Sequence, residues 1–138
     1  MQVRVKLIED VAWLVDGNSG HGIVVDGSPD IGGRNLGMRP MELVLAGLGG
    51  CTAMDVITIL RKQRQDVLDC IIEVNATRAD TIPKVFTDIE LVYKVKGHSL
   101  NQDAVERAVS LSADKYCSVS RMLQESVNIS HRIELEEA

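Results

Sequence analysis

The stretch Met41-Glu42-Leu43-Val44-Leu45-Ala46-Gly47-Leu48-Gly49-Gly50-Cys51-Thr52-Ala53-Met54-Asp55, running on to about Gln63, most constrains what this chain can fold into. Until Arg61, almost every face of a helix built from it carries an apolar residue. A helix that is apolar all round is a buried one. Pro40 suits its first turn, where a missing N–H costs nothing, and Glu42 in that turn complements the helix dipole. Gly47, Gly49 and Gly50 interrupt it, each at about 1 kcal/mol relative to alanine. Close approach of another helix or chain would compensate. A chain of 138 residues with a few short strands cannot cover such a helix from one side. A symmetric dimer with the two helices in its core is the simplest remedy.

Around this helix the pattern alternates. Val3, Val5 and Leu7 alternate with Gln2, Arg4 and Lys6, the period of a strand with one buried face. Residues 11–15 and 23–25 read as two more strands, with 16–20 as the turn between them. Residues 27–39 change to a glycine-rich composition and read as a loop, mobile because it offers little apolar surface to bury. Residues 68–79 expose Glu73, Asn75 and Thr77, and residues 85–96 expose Asp88, Glu90 and Lys94, with 80–84 as the hairpin connection. Asn101 or Ser99 caps a helix through Tyr116, with Ala104, Val105, Ala108, Leu111 and Ser112 on one face. A further helical stretch, 117–125, has Val119, Met122 and Leu123 as its apolar side, and 127–135 closes the chain as a strand. The order is βββ-α-ββ-α-α-β, without repeat or linker, which predicts a single α+β domain over residues 1–138.

Composition excludes several classes of partner. The net charge is -5 with Lys and Arg scattered, so no phosphate-tracking stripe forms and nucleic acid is not an expected partner. No run is read as approaching the ~20 apolar residues of a membrane span, so no membrane is expected. The alternating N-terminus lacks the apolar core of a signal peptide. Cytoplasm is the expected compartment, where lasting structural disulfides are rare. Three cysteines without CxxC spacing argue against structural zinc. His21, His98 and His131 form no ligand motif, and residues 27–37 lack both GxGxxG and the P-loop lysine. No cofactor is expected. A Ser-His-Asp hydrolase has no nucleophile elbow here.

The chemistry that remains is thiol chemistry. Cys51 follows a glycine pair in the apolar helix, and reads either as a small core residue or as a reactive thiol. Asp55 lies four residues on and shares its face. Its carboxylate would oppose thiol ionisation, accept a hydrogen bond from the thiol, or bond another group such as a backbone N–H or a partner chain's arginine. Cys117 stands between two helical patterns, beside Ser118 and Ser120. At a helix start, N–H groups and the dipole would favour its thiolate. Cys70, with no polar companion, reads as structural. Two cysteines that meet in a fold suit an attacking and a resolving sulfur.

Pro40-Met41-Glu42-Leu43 leading to Gly50-Cys51, then Ala53-Met54-Asp55-Val56 and Lys115-Tyr116-Cys117-Ser118-Val119, resemble the OsmC/Ohr family of thiol peroxidases, closest to its YhfA-like branch. The resemblance covers nearly the whole chain. It implies an OsmC-like intertwined homodimer with long central helices wrapped by antiparallel sheets, in agreement with the dimer argued from the apolar helix. It also implies that Cys51 attacks an organic hydroperoxide, that Cys117 resolves the sulfenic acid to a disulfide, and that a dithiol of unknown identity restores both. In the family's peroxidases an arginine from the N-terminal strands and a glutamate ten residues before the cysteine activate the thiol. Met41 holds that glutamate position here, and Glu42 points about 100° away on a helix. The turn at 17–21 carries no arginine. Arg39 and Arg34 are the nearby candidates. Arg39 is the better, though about 18 Å of helix separates it from Cys51. The expectation is weak hydroperoxide turnover. The competing reading is a non-enzymatic dimeric binding protein holding a small lipophilic or electrophilic ligand beside the thiols.

Overall fold

In the computed structural model, which describes residues 1–138, the alternating N-terminal residues form strand β1 (Val3–Glu9). It pairs antiparallel with β2 (Ala12–Gly17), which pairs antiparallel with β3 (Gly22–Val25), a three-stranded meander. The expected buried face of β1 is not found. Val3, Val5 and Leu7 are 62%, 58% and 49% exposed. Period-2 alternation sets which side chains share a face, and burial of that face needs a covering layer.

The loop 27–39 is pinned rather than mobile. Its anchor is polar, which its lack of apolar residues did not disclose. Asp26 is 2% exposed, and its carboxylate accepts the backbone N–H of Gly27 at 2.8 Å, Arg34 at 2.9 Å and Leu36 at 3.1 Å. A 3₁₀ turn at Pro29–Ile31 tightens the loop. Gly33 is required, because a Cβ there would lie 1.7 Å from the Gly27 carbonyl oxygen. The N–H groups of Leu36 and Arg34, with a smaller part from Gly27, hold the Asp26 carboxyl below its ordinary range. The anchor is therefore complete above the ordinary carboxylate pKa and is lost as pH falls through the lowered folded value. Asp26→Ala is expected to open residues 27–39 to limited proteolysis at neutral pH. Unchanged cleavage would show that the three N–H bonds do not hold the loop.

Residues Met1–Leu45 and Ala46–Ala138 form two compact units. Helix α1 (Pro40–Lys62) starts in the first and continues into the second. Within it, burial is confined to one stripe: Leu48, Thr52, Val56 and Leu60 at i, i+4 spacing, with Gly49 beside them. Met54 is 72% exposed and Val44 37%, so this chain by itself does not bury the helix all round. By length and composition α1 is apolar enough to cross a bilayer, a correction to the reading that no run approaches that length. Of the three glycines, Gly49 has its reason in this chain. A Cβ there would stand 3.0 Å from Val74 Cγ2 on the sheet, whereas Gly47 and Gly50 have nothing within 4 Å. For Gly49, the close approach is by a strand and not by another helix or chain.

That sheet has the order β4-β5-β6. Strands β4 (Asp66–Arg78) and β5 (Phe86–His98) form the expected antiparallel hairpin. Strand β6 (Asn128–Glu137) pairs with the other edge of β5 in parallel, so this sheet is mixed rather than antiparallel throughout. Central β5 buries Ile89, Leu91, Val92, Tyr93 and Val95 to 3% exposure or less. Successive residues point to opposite faces, so burial of Leu91 through Tyr93 means that both faces are covered there. Glu90 and Lys94 are half-buried, while Asp88 is exposed as expected.

Asn101, not Ser99, caps α2 (Gln102–Leu111), its side-chain oxygen accepting the Ala104 N–H at 2.9 Å. A π-helical turn, Ser112–Tyr116, follows, and α3 (Ser118–Leu123) is a short helix. Met122, expected on the apolar side of α3, is 69% exposed. The mixed α+β order of elements is as the sequence pattern predicts.

Candidate active site

Cys51 and Asp55 stand one turn apart on α1, and Cys117 occupies the bend between the π-helical turn and α3. The bend is set by local bonding. Cys117 leaves helical geometry, while its N–H still reaches the Ser112 carbonyl at 2.8 Å. The two sulfurs and a carboxylate oxygen of Asp55 all lie within 4.8 Å of one another. Cys117 is fully buried, whereas Cys51 and Asp55 are half-buried. Three of the residues singled out in the sequence thus meet, across a separation of 66 positions between the thiols.

Cys117 does cap α3, and its Sγ accepts the Ser120 N–H at 3.4 Å. The expected favouring of its thiolate is nevertheless overturned. Burial pushes the Cys117 thiol up to about 11, against the pull of the Ser120 N–H, and Cys51 and Asp55 add to the rise. One sulfur–amide bond at a six-residue helix is a weaker influence than loss of solvent and two acidic neighbours. Cys117 is a neutral thiol at physiological pH.

Within this chain, the partner of the Asp55 carboxylate is a hydroxyl. Its Oδ2 accepts the Ser112 hydroxyl at 3.0 Å. Ser112 Oγ lies 2.8 Å from Thr52 Oγ1, which lies 2.8 Å from the Tyr93 hydroxyl. Each hydroxyl has one hydrogen to donate. With Asp55 ionised, Ser112 spends its hydrogen on the carboxylate, so Thr52 donates to Ser112 and Tyr93 to Thr52. The result is a buried, one-way hydroxyl chain that ends beside the thiols. Burial raises the Tyr93 hydroxyl, with the Thr52 bond opposing, so Tyr93 remains a donor. Sequence reasoning missed Thr52 and Tyr93, and placed Ser112 only as part of an apolar face. The available signal was a polar group at an otherwise apolar position of each element, since such a group must find a partner when buried.

Glu42, Arg39 and Arg34 are engaged within the first unit. Glu42 Oε1 accepts the Arg39 N–H at 3.0 Å and so closes the first turn of α1. The Arg39 guanidinium donates to Asn35 Oδ1 at 3.2 Å and to the Gly37 carbonyl at 2.9 Å. Arg34 pairs with Glu9. Cys70 sits in β4 opposite Val95, its thiol raised by burial and then by Asp69. A groove of about 360 Å³ opens beside Asp55, with Met54, Ile59, Leu111 and Tyr116 as its larger apolar walls and Lys62 also lining it. The arrangement can perform two-thiol redox chemistry: one half-open sulfur, one buried sulfur in reach of it, and a fixed carboxylate between solvent and core.

The model of the family described as OsmC-like protein matches residues 32–132. Protein YhfA of Escherichia coli (strain K12) is 46% identical over 135 residues, 98% of each chain. Among solved structures, a hypothetical protein from Aquifex aeolicus VF5 is 34% identical, with a TM-score of 0.82 over 98% of this chain and 96% of that one. The organic hydroperoxide resistance protein OsmC from Legionella pneumophila shares the fold, at 17% identity and a TM-score of 0.69 over 97% of each chain.

Proposed function

Because this chain belongs to the OsmC-like family, we propose that it is a thiol-dependent peroxidase for organic hydroperoxides, with Cys51 attacking and Cys117 resolving. The observation that carries this reading is the approach of both sulfurs and the Asp55 carboxylate to within 4.8 Å. The Cys51 thiolate attacks one peroxide oxygen, the O–O bond breaks, and the alcohol leaves after taking up a proton. Cys51 becomes a sulfenic acid. The Cys117 sulfur then attacks the sulfenic sulfur, the S–O bond breaks, and the departing hydroxide leaves as water with the Cys117 proton. A dithiol reduces the resulting disulfide and is itself oxidised. Asp55, held by Ser112, is the base nearest both sulfurs. The name of the Legionella relative supports the substrate class. Turnover is slow on this reading, because Met41 replaces the activating glutamate and Arg34 and Arg39 are bonded elsewhere.

The test adds one equivalent of cumene hydroperoxide to the reduced protein, follows thiol loss by stopped flow, and maps the disulfide by peptide mass. A Cys51–Cys117 bridge with Cys70 free is expected. A main bridge through Cys70 would overturn the assignment. The apolar groove beside Asp55 favours one second reading, a non-enzymatic protein that holds a lipophilic ligand there. Thiols inert to peroxide, together with a co-purifying lipophilic molecule, would select it.

The proposed partners are a second copy of this chain, the hydroperoxide and the dithiol, in the cytoplasm. Support for the dimer lies in the exposed apolar residues Val3, Val5 and Leu7 of β1 and Met54 of α1, and in the open space at Gly47 and Gly50. The first side-chain atom of Gly50→Leu meets nothing within its own chain, and the clash proposed for this variant is against a partner. Overpacking of about 1–3 kcal/mol is expected to weaken the dimer in sedimentation. A wild-type monomer of 15.1 kDa at micromolar concentration, or an undisturbed Gly50→Leu dimer, would remove the argument.

A further inference from the structure

We propose that the reduced protein binds zinc through Cys51 Sγ, Cys117 Sγ and a carboxylate oxygen of Asp55, with the fourth position open. Ligand spacing of 51, 55 and 117 matches no local zinc signature, so a sequence scan passes over it. In space the set is a coherent one: two soft sulfurs and one carboxylate, all within 4.8 Å of one another. Tetrahedral zinc with bonds of about 2.3 Å to sulfur and 2.1 Å to oxygen puts the sulfurs about 3.8 Å apart and each about 3.6 Å from the oxygen. The observed cluster, with every separation inside 4.8 Å, is at most about 1 Å wider than that.

The surroundings of the ligands point the same way. Zinc ligands are held by outer hydrogen bonds that fix their orientation. Asp55 Oδ2 accepts the Ser112 hydroxyl, which fixes the carboxylate's orientation. Ser112 is itself held through Thr52 to Tyr93. Cys117 Sγ already accepts the Ser120 N–H, the kind of bond that steadies a thiolate on a metal. Cys117 is buried while Cys51 and Asp55 are half-open. Three protein ligands with an accessible fourth position characterise zinc that exchanges a ligand, in contrast to closed four-ligand structural sites.

Binding releases two thiol protons to solvent and leaves both sulfurs as metal-bound thiolates. The same sulfurs cannot hold zinc and be joined to each other. Zinc therefore masks the pair, and a two-electron oxidant such as a hydroperoxide, itself reduced to alcohol and water with uptake of two protons, joins the sulfurs and returns the ion to solvent. The inference does not depend on peroxide reactivity, since a metal site needs only that the thiols be reduced and in place.

The experiment titrates anaerobic, reduced, full-length protein with zinc in competition with a chromophoric chelator, and separately with cobalt to read thiolate-to-metal charge transfer. One zinc per chain and a thiolate–cobalt band are expected, with no binding by the Cys51–Cys117 disulfide form. Asp55→Asn and Ser112→Ala should each weaken binding at least tenfold, and Cys70→Ser should leave it unchanged. Absence of stoichiometric zinc from the wild type overturns the proposal without recourse to any variant. So does a Cys117→Ser protein that binds zinc as tightly as wild type. Peroxide reduction by a protein that binds no zinc defeats this inference alone, and zinc binding by a protein inert to peroxide defeats the peroxidase reading alone.

Discussion

Cys51→Ser is expected to lower hydroperoxide reduction to the background rate of dithiol and peroxide alone, a loss on the order of a thousandfold or more. A serine hydroxyl is a far weaker nucleophile than a thiolate, and no second nucleophile stands at its position. The assay follows consumption of cumene, tert-butyl and lipid hydroperoxides with excess dithiol, for wild type and variant side by side. Slow wild-type turnover would still sit well above that background. A serine variant with wild-type rates would move the chemistry to another residue, and Cys70 would be the first to examine.

Cys117→Ser should split the cycle. The first step survives, so a single turnover still oxidises Cys51, but the sulfenic acid accumulates and is trapped by dimedone. Steady-state turnover falls about a hundredfold, because an external thiol must reach a half-buried sulfur. In the reduced wild type, burial pushes the Cys117 thiol up to about 11, so the proposed resolving thiol is mostly protonated between pH 7 and 10. The rate of disulfide formation should therefore climb about tenfold per pH unit between pH 7 and 10, as the thiolate fraction grows, and level near 11. A profile flat over that range would contradict a solvent-titrated thiol. It would assign the proton to a neighbouring base, and Asp55 is the one within reach.

Much of the site was legible because both cysteine contexts are local patterns. Cys51 and Asp55 share a face by helical arithmetic, and the break before Cys117 showed as a change of periodicity. Their meeting was not readable from spacing alone, and came into view through family resemblance. The hydroxyl chain escaped for a physical reason: Thr52, Ser112 and Tyr93 come from three elements, and their partnership exists only once those elements pack. The loop 27–39 misled for a related reason. Apolar content measures one kind of anchor, and Asp26 supplies another. Exposure of β1 and of Met54 shows the limit of periodicity. A pattern states which residues want cover, and it does not state where the cover comes from.

The two sulfurs belong to segments far apart along the chain, and this has a meaning while the protein is being made. At roughly 5–20 residues per second, ribosomes add the stretch from Cys51 to Cys117 in about 3–13 s. On the proposed mechanism, the nascent chain carries the attacking Cys51 without its resolving partner Cys117 throughout that interval, with Cys70 as the one other thiol made meanwhile. Oxidation then has no route back through Cys117, and further oxidation to the sulfinic state cannot be undone by thiols. On that mechanism, newly made chains are expected to suffer over-oxidation of Cys51 more readily than mature ones.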